Sequence, residues 1–110
     1  TRVWKDVDAN LRRMFGEEAV FYGWYGVEND RTANGSTSGA EYRAALFDPT
    51  VNFTYLETDE CLDRVEAHID AHGPYDVLLG FSQGGIVISM LTARRLERAA
   101  RGEGPPPSWR

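Results

Sequence analysis

Five residues in the last third of the chain, Gly80-Phe81-Ser82-Gln83-Gly84, have the spacing Gly-x-Ser-x-Gly. In this pattern the serine stands on a sharp turn between a strand and a helix, where its hydroxyl is available for nucleophilic attack. Glycines flank the serine because Cβ atoms would collide in so tight a turn. We therefore expect Ser82 to be a nucleophile and Gly80, Gly84 and Gly85 to shape the turn. The alternative is a glycine-rich turn with an incidental serine.

The segments on either side of Ser82 fit this role. Tyr75–Leu79 is a short run that is bounded by turn residues and apolar at its end, which predicts a buried strand. Ile86–Leu91 opens a helix that is apolar on nearly every side, which predicts a buried helix. The start of that helix directs backbone N–H groups at the reacting centre, and we expect the N–H of Gln83 to be the first oxyanion donor.

The groups that would activate the serine do not follow it in the chain. In hydrolases with this motif the Asp or Glu, and then the His, come after the nucleophile. After Ser82 there is no Asp and no His, and the later carboxylates are Glu97 and Glu103. The two histidines, His68 and His72, precede the serine, and we expect solvated or interface side chains rather than a base or a metal pair. The expectation is that these 110 residues are about half of a domain and inactive alone.

Residues Gly73–Gly85 resemble the signature of FSH-type serine hydrolases, which belong to the α/β-hydrolase superfamily. The family's Gly-Pro-aromatic-Asp lead-in is matched by Gly73–Asp76, and Gly23–Tyr25 and Leu56–Thr58 are similar to its upstream segments. One departure is Val77, where the family often has Gly. Acyl-protein thioesterases and carboxylesterases also carry Gly-Phe-Ser-Gln-Gly-Gly, but the Gly-Pro-Tyr-Asp lead-in favours the FSH type.

The resemblance implies an α/β fold with a parallel sheet flanked by helices, of which residues 1–110 supply an incomplete part. Within it we expect a polar loop at 29–39 and a Gly/Pro-rich connector at 102–110. It also implies hydrolysis of a small-molecule carboxylic ester or thioester through an acyl-enzyme on Ser82, without a metal or an organic cofactor. A different class stays open, because a nucleophile without a base is also compatible with a non-catalytic binding or dimerisation module or a truncated pseudo-enzyme.

Composition narrows the range of partners. Twelve Lys and Arg stand against 17 Asp and Glu, which gives a net charge of −5 and argues against nucleic acid and anionic membranes as partners. The lone Cys61 cannot form an internal disulfide, which favours a cytoplasmic compartment. Its place on the apolar side of a predicted helix indicates a small buried side chain. No apolar stretch approaches the roughly 18–20 residues of a membrane-spanning helix.

Periodicity and turn signals predict the remaining elements. An amphipathic helix is expected over 3–15 and a short helix over 40–46, and the aromatic segment 21–26 is expected to be an edge strand or a loop. A helix over 55–72 is expected to begin at Thr54 as N-cap, with Glu57 completing a capping box, and to stop at Gly73-Pro74. On the last helix, the arginines predicted to form a solvated face are Arg94, Arg95, Arg98 and Arg101.

Overall fold

The computed structural model describes residues 2–3, 7–31 and 39–110. The chain divides into two compact units, Thr1–Glu57 and Thr58–Arg110. In their described residues, the first unit contains short strands and short helices, and the second is built from two long helices.

The strands of the first unit form two antiparallel pairs. Strand β1 (Arg2–Val3) pairs with β2 (Tyr22–Gly23), and β3 (Gly26–Asn29) pairs with β4 (Phe53–Leu56). The sequence predicted a parallel sheet, whereas both pairs found among the described residues are antiparallel. Each pair is a two-stranded ribbon, an arrangement that is only marginally stable by itself.

The aromatic segment predicted as an edge strand or a loop contains parts of two strands. The chain leaves β2, bends at Trp24–Tyr25, and enters β3. Tyr25 is buried, and its ring lies edge-on to that of Tyr55 on β4, with 6.0 Å between ring centroids. Tyr25 belongs to the small core of the first unit, whereas Tyr55 is 57% exposed and covers one side of it.

Helix α1 spans Ala9–Phe15 and is shorter than the predicted helix over 3–15. Val3 lies in β1 instead, and positions 4–6 are outside the described residues. The start is set by Asp8, whose Oδ1 accepts the N–H of Asn10 at 2.8 Å. An aspartate that satisfies the first amides of a helix is a strong N-cap, so the cap outweighs the apolar spacing before it.

Helix α2 (Gly39–Leu46) confirms the short helix predicted over 40–46. The predicted polar loop at 29–39 can be compared with the structure only in part, because positions 32–38 are outside the described residues. Asn29 ends β3 rather than beginning the loop. Beyond it, the N–H of Asp30 donates to the carbonyl of Asn52 at 3.1 Å, which extends the contact between the two chain segments by one residue.

Helix α3 spans Thr58–His72, so the prediction that Thr54 caps a helix over 55–72 is wrong at its start. Thr54 lies in β4, where backbone pairing with β3 competes successfully with the local capping pattern. Glu57 then takes a left-handed backbone conformation, with φ of 61°, and the helix begins after it. The predicted end is confirmed, since the N–H of Gly73 donates to the carbonyl of Ile69 at 2.7 Å.

Helix α4 (Gln83–Ala100) packs against α3. Leu91 is fully buried and Val87 nearly so, but Ile86 is half exposed. The prediction of a helix buried on nearly every side is therefore wrong, because one side of the helix, which includes Ile86 and Ser89, is exposed. No helix in the described part of the chain is long and apolar enough to cross a membrane.

Tyr75–Leu79 forms no strand, and the prediction of a buried strand is wrong for the described residues. Val77 is 70% exposed and Leu79 is 97% exposed. A strand exists only through hydrogen bonds to a neighbour, and no strand of the described residues runs beside this segment. The C-terminal segment does make two hydrogen bonds to it. Ser108 Oγ donates to the carbonyl of Tyr75 at 2.9 Å, and the N–H of Arg110 donates to the carbonyl of Asp76 at 3.0 Å.

An arginine–carboxylate cluster joins the two long helices. At its centre Glu66, only 7% exposed, accepts from Arg95 Nε at 2.8 Å, from Arg98 at 3.1 Å and from Arg94 at 3.4 Å. The outer carboxylates complete the cluster, which consists of Arg94, Arg95 and Arg98 on α4 and Asp59, Asp63, Glu66 and Asp70 on α3.

The expected solvated arginine face is therefore wrong for Arg94 and Arg95. The side chains of Arg94 and Arg95 are 19% and 13% exposed. Burial acts to lower the pKa of Arg95, but its hydrogen bonds to Asp70 and Glu66 outweigh burial and the pKa is raised. Arg98 and Arg101 fit the expectation, since their side chains are 44% and 55% exposed, and Arg101 pairs within its own helix with Glu97.

Trp109 closes the end of this core. Its ring is buried, and Nε1–H donates to Thr92 Oγ1 at 2.9 Å. The guanidinium of Arg95 lies 5.4 Å from the ring centroid, within the range of a cation–π contact. The C-terminal segment is thus held against α4 by both an indole hydrogen bond and a charge.

Glu66→Ala is expected to lower the free energy of unfolding by about 3 kcal/mol, because it leaves buried guanidinium groups without their central carboxylate. Urea denaturation followed by circular dichroism measures this change. The matched control is Asp59→Ala on the same helix, whose carboxylate is 87% exposed. The control should cost less than about 1 kcal/mol. Equal losses for the two variants would contradict a central role for Glu66.

Candidate active site

Ser82 occupies the N-cap of α4 in a strained backbone conformation, with φ of 50° and ψ of −120°. Residues other than glycine rarely have positive φ, and such a conformation costs on the order of 1–3 kcal/mol. An N-cap serine ordinarily accepts a hydrogen bond from an amide of the first turn. The Ser82 side chain makes no such bond, and the residue is exposed. The helix therefore does not use this hydroxyl as its cap.

Backbone hydrogen bonds hold the turn around Ser82. The carbonyl of Ser82 accepts the N–H of Gly85 at 3.0 Å and that of Ile86 at 3.3 Å, and Gly84 donates to the carbonyl of Phe81 at 2.9 Å. Gln83 is the first residue of α4. Its amide therefore lies at the positive end of the helix dipole, directly after the serine.

The glycines around Ser82 lie against one another. A Cβ atom on Gly80 would be 2.5 Å from the carbonyl carbon and oxygen of Gly84 and 2.6 Å from the nitrogen of Gly85. A Cβ atom on Gly85 would be 3.3 Å from the carbonyl oxygen of Gly80. The segment that enters the turn and the first turn of α4 thus touch through their backbones, which leaves no room for a side chain at Gly80.

Large apolar side chains border the turn. Phe81 is 93% exposed, Leu79 is exposed almost completely, and Ile86 is half exposed. Exposed apolar side chains therefore surround an exposed serine.

The histidines lie elsewhere. The described contacts of His68 and His72 join the two rings to each other and His68 to Tyr75, at the end of α3. Both side chains are exposed, which confirms the expectation of solvated histidines. Of the carboxylates after Ser82, Glu97 pairs with Arg101. The described contacts therefore bring neither an imidazole nor a carboxylate to the serine.

Cys61 is buried, which confirms the prediction from its helix position. Burial raises the pKa of its thiol, so the nucleophilic thiolate is scarce at neutral pH. Within the residues that the structure describes, no group of three or more His, Cys, Asp and Glu side chains is placed to hold a metal ion.

A cavity of about 170 Å³ lies beside the arginine–carboxylate cluster, not beside Ser82. It is lined by Glu66, Asp70, Arg95, Arg98, Glu103, Gly104 and Pro105. The cluster was missed from the sequence, although a signal for it exists. Carboxylates at 59, 63, 66 and 70 recur at helical spacing, as do arginines at 94, 95 and 98, and two such complementary stripes favour helix pairing.

Gly80→Ala is expected to reduce the free energy of unfolding by about 1–3 kcal/mol or more, because the new methyl group meets backbone atoms that cannot move aside alone. Gly104→Ala is the matched control, since a Cβ atom there meets nothing within 4 Å. Thermal unfolding of the two variants measures the difference, and the control should stay within about 0.5 kcal/mol of the parent chain. Equal stability of the two variants would exclude the close backbone approach.

Comparison with known proteins identifies the family of the chain. The family described as Serine hydrolase (FSH1) matches residues 3–108 of the chain. Esterase alnB of Emericella nidulans is 36% identical over 59 residues, which are 53% of this chain and 19% of that protein. The chain thus matches about a fifth of the length of this curated relative. No solved structure matches the chain. Because the family match covers nearly every residue, the chain belongs to the serine hydrolase (FSH1) family, as the resemblance of its motif indicated.

Proposed function

We propose that the chain carries the nucleophile of a serine esterase or thioesterase, and that this nucleophile is Ser82. The observation that carries the proposal is the strained φ of 50° at the N-cap of α4, combined with a hydroxyl that does not cap the helix. Strain of this kind concentrates at active sites, where surrounding structure holds a residue in place for its chemistry. Family membership supports the same assignment.

In the proposed reaction, Ser82 Oγ attacks the acyl carbonyl carbon while its proton passes to a general base. The carbonyl oxygen becomes an oxyanion, which the N–H of Gln83 stabilises from the start of α4. Collapse of this intermediate expels an alcohol or a thiol and leaves an acyl-enzyme. Water then attacks the acyl group and releases the carboxylic acid and the serine.

The base and its orienting carboxylate are proposed to come from other parts of the full-length protein. Support comes from the described contacts, none of which brings His68 or His72 to Ser82. The short match to the curated esterase is also compatible with further residues beyond these 110. A cytoplasmic location belongs to the same proposal and is supported by the single buried cysteine.

The 110-residue chain is expected to give no measurable turnover of p-nitrophenyl acyl esters, because an unactivated serine hydroxyl is a weak nucleophile. A spectrophotometric assay of released p-nitrophenol checks this. Turnover that disappears in Ser82→Ala would contradict the expectation and would place a base within the chain.

In the full-length protein, a fluorophosphonate probe is expected to label Ser82 covalently, and Ser82→Ala should abolish the labelling. Ser89→Ala is the matched control, since Ser89 lies on the same helix and its hydroxyl donates to the carbonyl of Gly85 at 3.0 Å. Gel fluorescence and peptide mass spectrometry would locate the adduct. Labelling that survives Ser82→Ala would remove Ser82 as the nucleophile.

A further inference from the structure

We propose that Trp109 is a positioning residue for Ser82 and acts through its hydrogen bond to Thr92 on α4. The proposal rests on the proposed role of Ser82 as the nucleophile. The described contacts of the Trp109 ring lie on α4, at Thr92 and Arg95, rather than at the serine. Its effect on the reaction therefore passes through the elements that hold the serine, which are the entering segment 75–81 and α4.

The C-terminal segment binds both of these elements. The residues on either side of Trp109 donate hydrogen bonds to the carbonyl groups of Tyr75 and Asp76, at 2.9 and 3.0 Å. Between them, the Nε1–H of Trp109 donates to Thr92 Oγ1 at 2.9 Å. Three consecutive residues thus connect the start of the segment that enters the turn to the helix that leaves it.

The turn at Ser82 is therefore held in two places. Close to the serine, the backbone contact between Gly80 and the first turn of α4 fixes how near the two elements come. Thr92 lies about 15 Å further along the helix, and its bond to Trp109 fixes the angle between the elements. A positive φ persists only where the surrounding structure determines it, so loss of the second contact should allow the φ of 50° at Ser82 to relax.

Thr92 connects this hydrogen bond to the backbone of α4. An indole N–H can only donate, so the hydroxyl of Thr92 accepts it and keeps its own hydrogen for another acceptor. That hydrogen goes to the carbonyl of Ile88 at 2.7 Å, one helical turn nearer to Ser82. Hydrogen bonds in such a chain polarise and strengthen one another. The position of α4 against Trp109 therefore depends on the hydroxyl of Thr92 and not only on the shape of that side chain.

Burial gives the Trp109 ring one preferred orientation. The residue is 7% exposed, and the guanidinium of Arg95 lies 5.4 Å from the ring centroid. A buried N–H without an acceptor is costly, so the ring is stable with its N–H directed at Thr92. Burial of the ring stabilises the fold, whereas the hydrogen bond sets the geometry. Variants that keep the buried side-chain volume and remove the polar atom separate the two effects.

The test measures labelling of the full-length protein by the fluorophosphonate probe, with the rate constant and the final labelled fraction recorded separately. Thr92→Val and Trp109→Phe should each lower the rate constant at least about tenfold, because a displacement of about 1 Å at a reacting group can cost about a hundredfold in rate. The final labelled fraction should stay at the parent value, since the folded state remains fully populated. Thr92→Ser keeps the hydroxyl and should label at the parent rate.

Two further variants complete the comparison. Arg101→Ala alters an exposed side chain on the same helix, whose described partner is Glu97, and should leave the rate constant unchanged. The double variant Trp109→Phe with Thr92→Val should be no slower than either single variant, because both substitutions remove the same hydrogen bond.

The positioning role is overturned if Thr92→Val labels at the parent rate, if Thr92→Ser is slowed as much as Thr92→Val, or if the slowing multiplies in the double variant. A fall in the labelled fraction alone also overturns it, because Trp109 would then serve only the stability of the fold. Ser82→Ala distinguishes this result from a failure of the proposed function. Labelling that is lost in Ser82→Ala but unchanged in Thr92→Val counts against the positioning role alone.

Discussion

A single buried carboxylate, Glu66, determines how the two long helices of the second unit meet. A charge removed from water is costly unless it is paired, and three arginines of α4 satisfy this one. Sliding α4 along α3 would break the hydrogen bonds between these guanidinium groups and the buried carboxylate. These bonds therefore set the register of α4 on α3. Burial of Leu91 and Val87 stabilises the helix pair, but the hydrophobic effect is non-directional and does not set the register. Since Ser82 is the N-cap of α4, the position of the proposed nucleophile depends on this register.

Local chemical signals made part of the structure predictable. The end of α3 at Gly73 and the short helix over 40–46 follow from glycine and proline chemistry within a few residues of each boundary. Burial of Cys61 follows from its place on the apolar stripe of α3. The segment Gly73–Gly85 likewise indicated the family, because it joins the Gly-Pro-Tyr-Asp lead-in to the Gly-x-Ser-x-Gly turn.

The predictions were wrong where contacts between residues far apart in the sequence determine the local structure. Thr54 has the local pattern of a helix cap, yet it pairs with a strand that lies some 26 positions earlier in the chain. Arg94 and Arg95 were predicted to be solvated, because their carboxylate partners lie on another helix and are distant in the sequence. Tyr75–Leu79 is apolar enough for a buried strand, but a strand requires a neighbour, and the described residues supply only the contacts of Ser108 and Arg110. The general base of the proposed reaction could not be assigned for the same reason.

At Ser82 the requirement of stable folding conflicts with that of the proposed activity. Glycine would relax the positive φ and would be the residue of choice if selection acted on folding alone. A serine there leaves the helix less stable than it could be, and its hydroxyl does not recover the loss by capping. The proposed role of Ser82 as nucleophile would account for its retention at a cost in stability. Substitutions that stabilise this turn should therefore be abundant among inactive variants and rare among active ones.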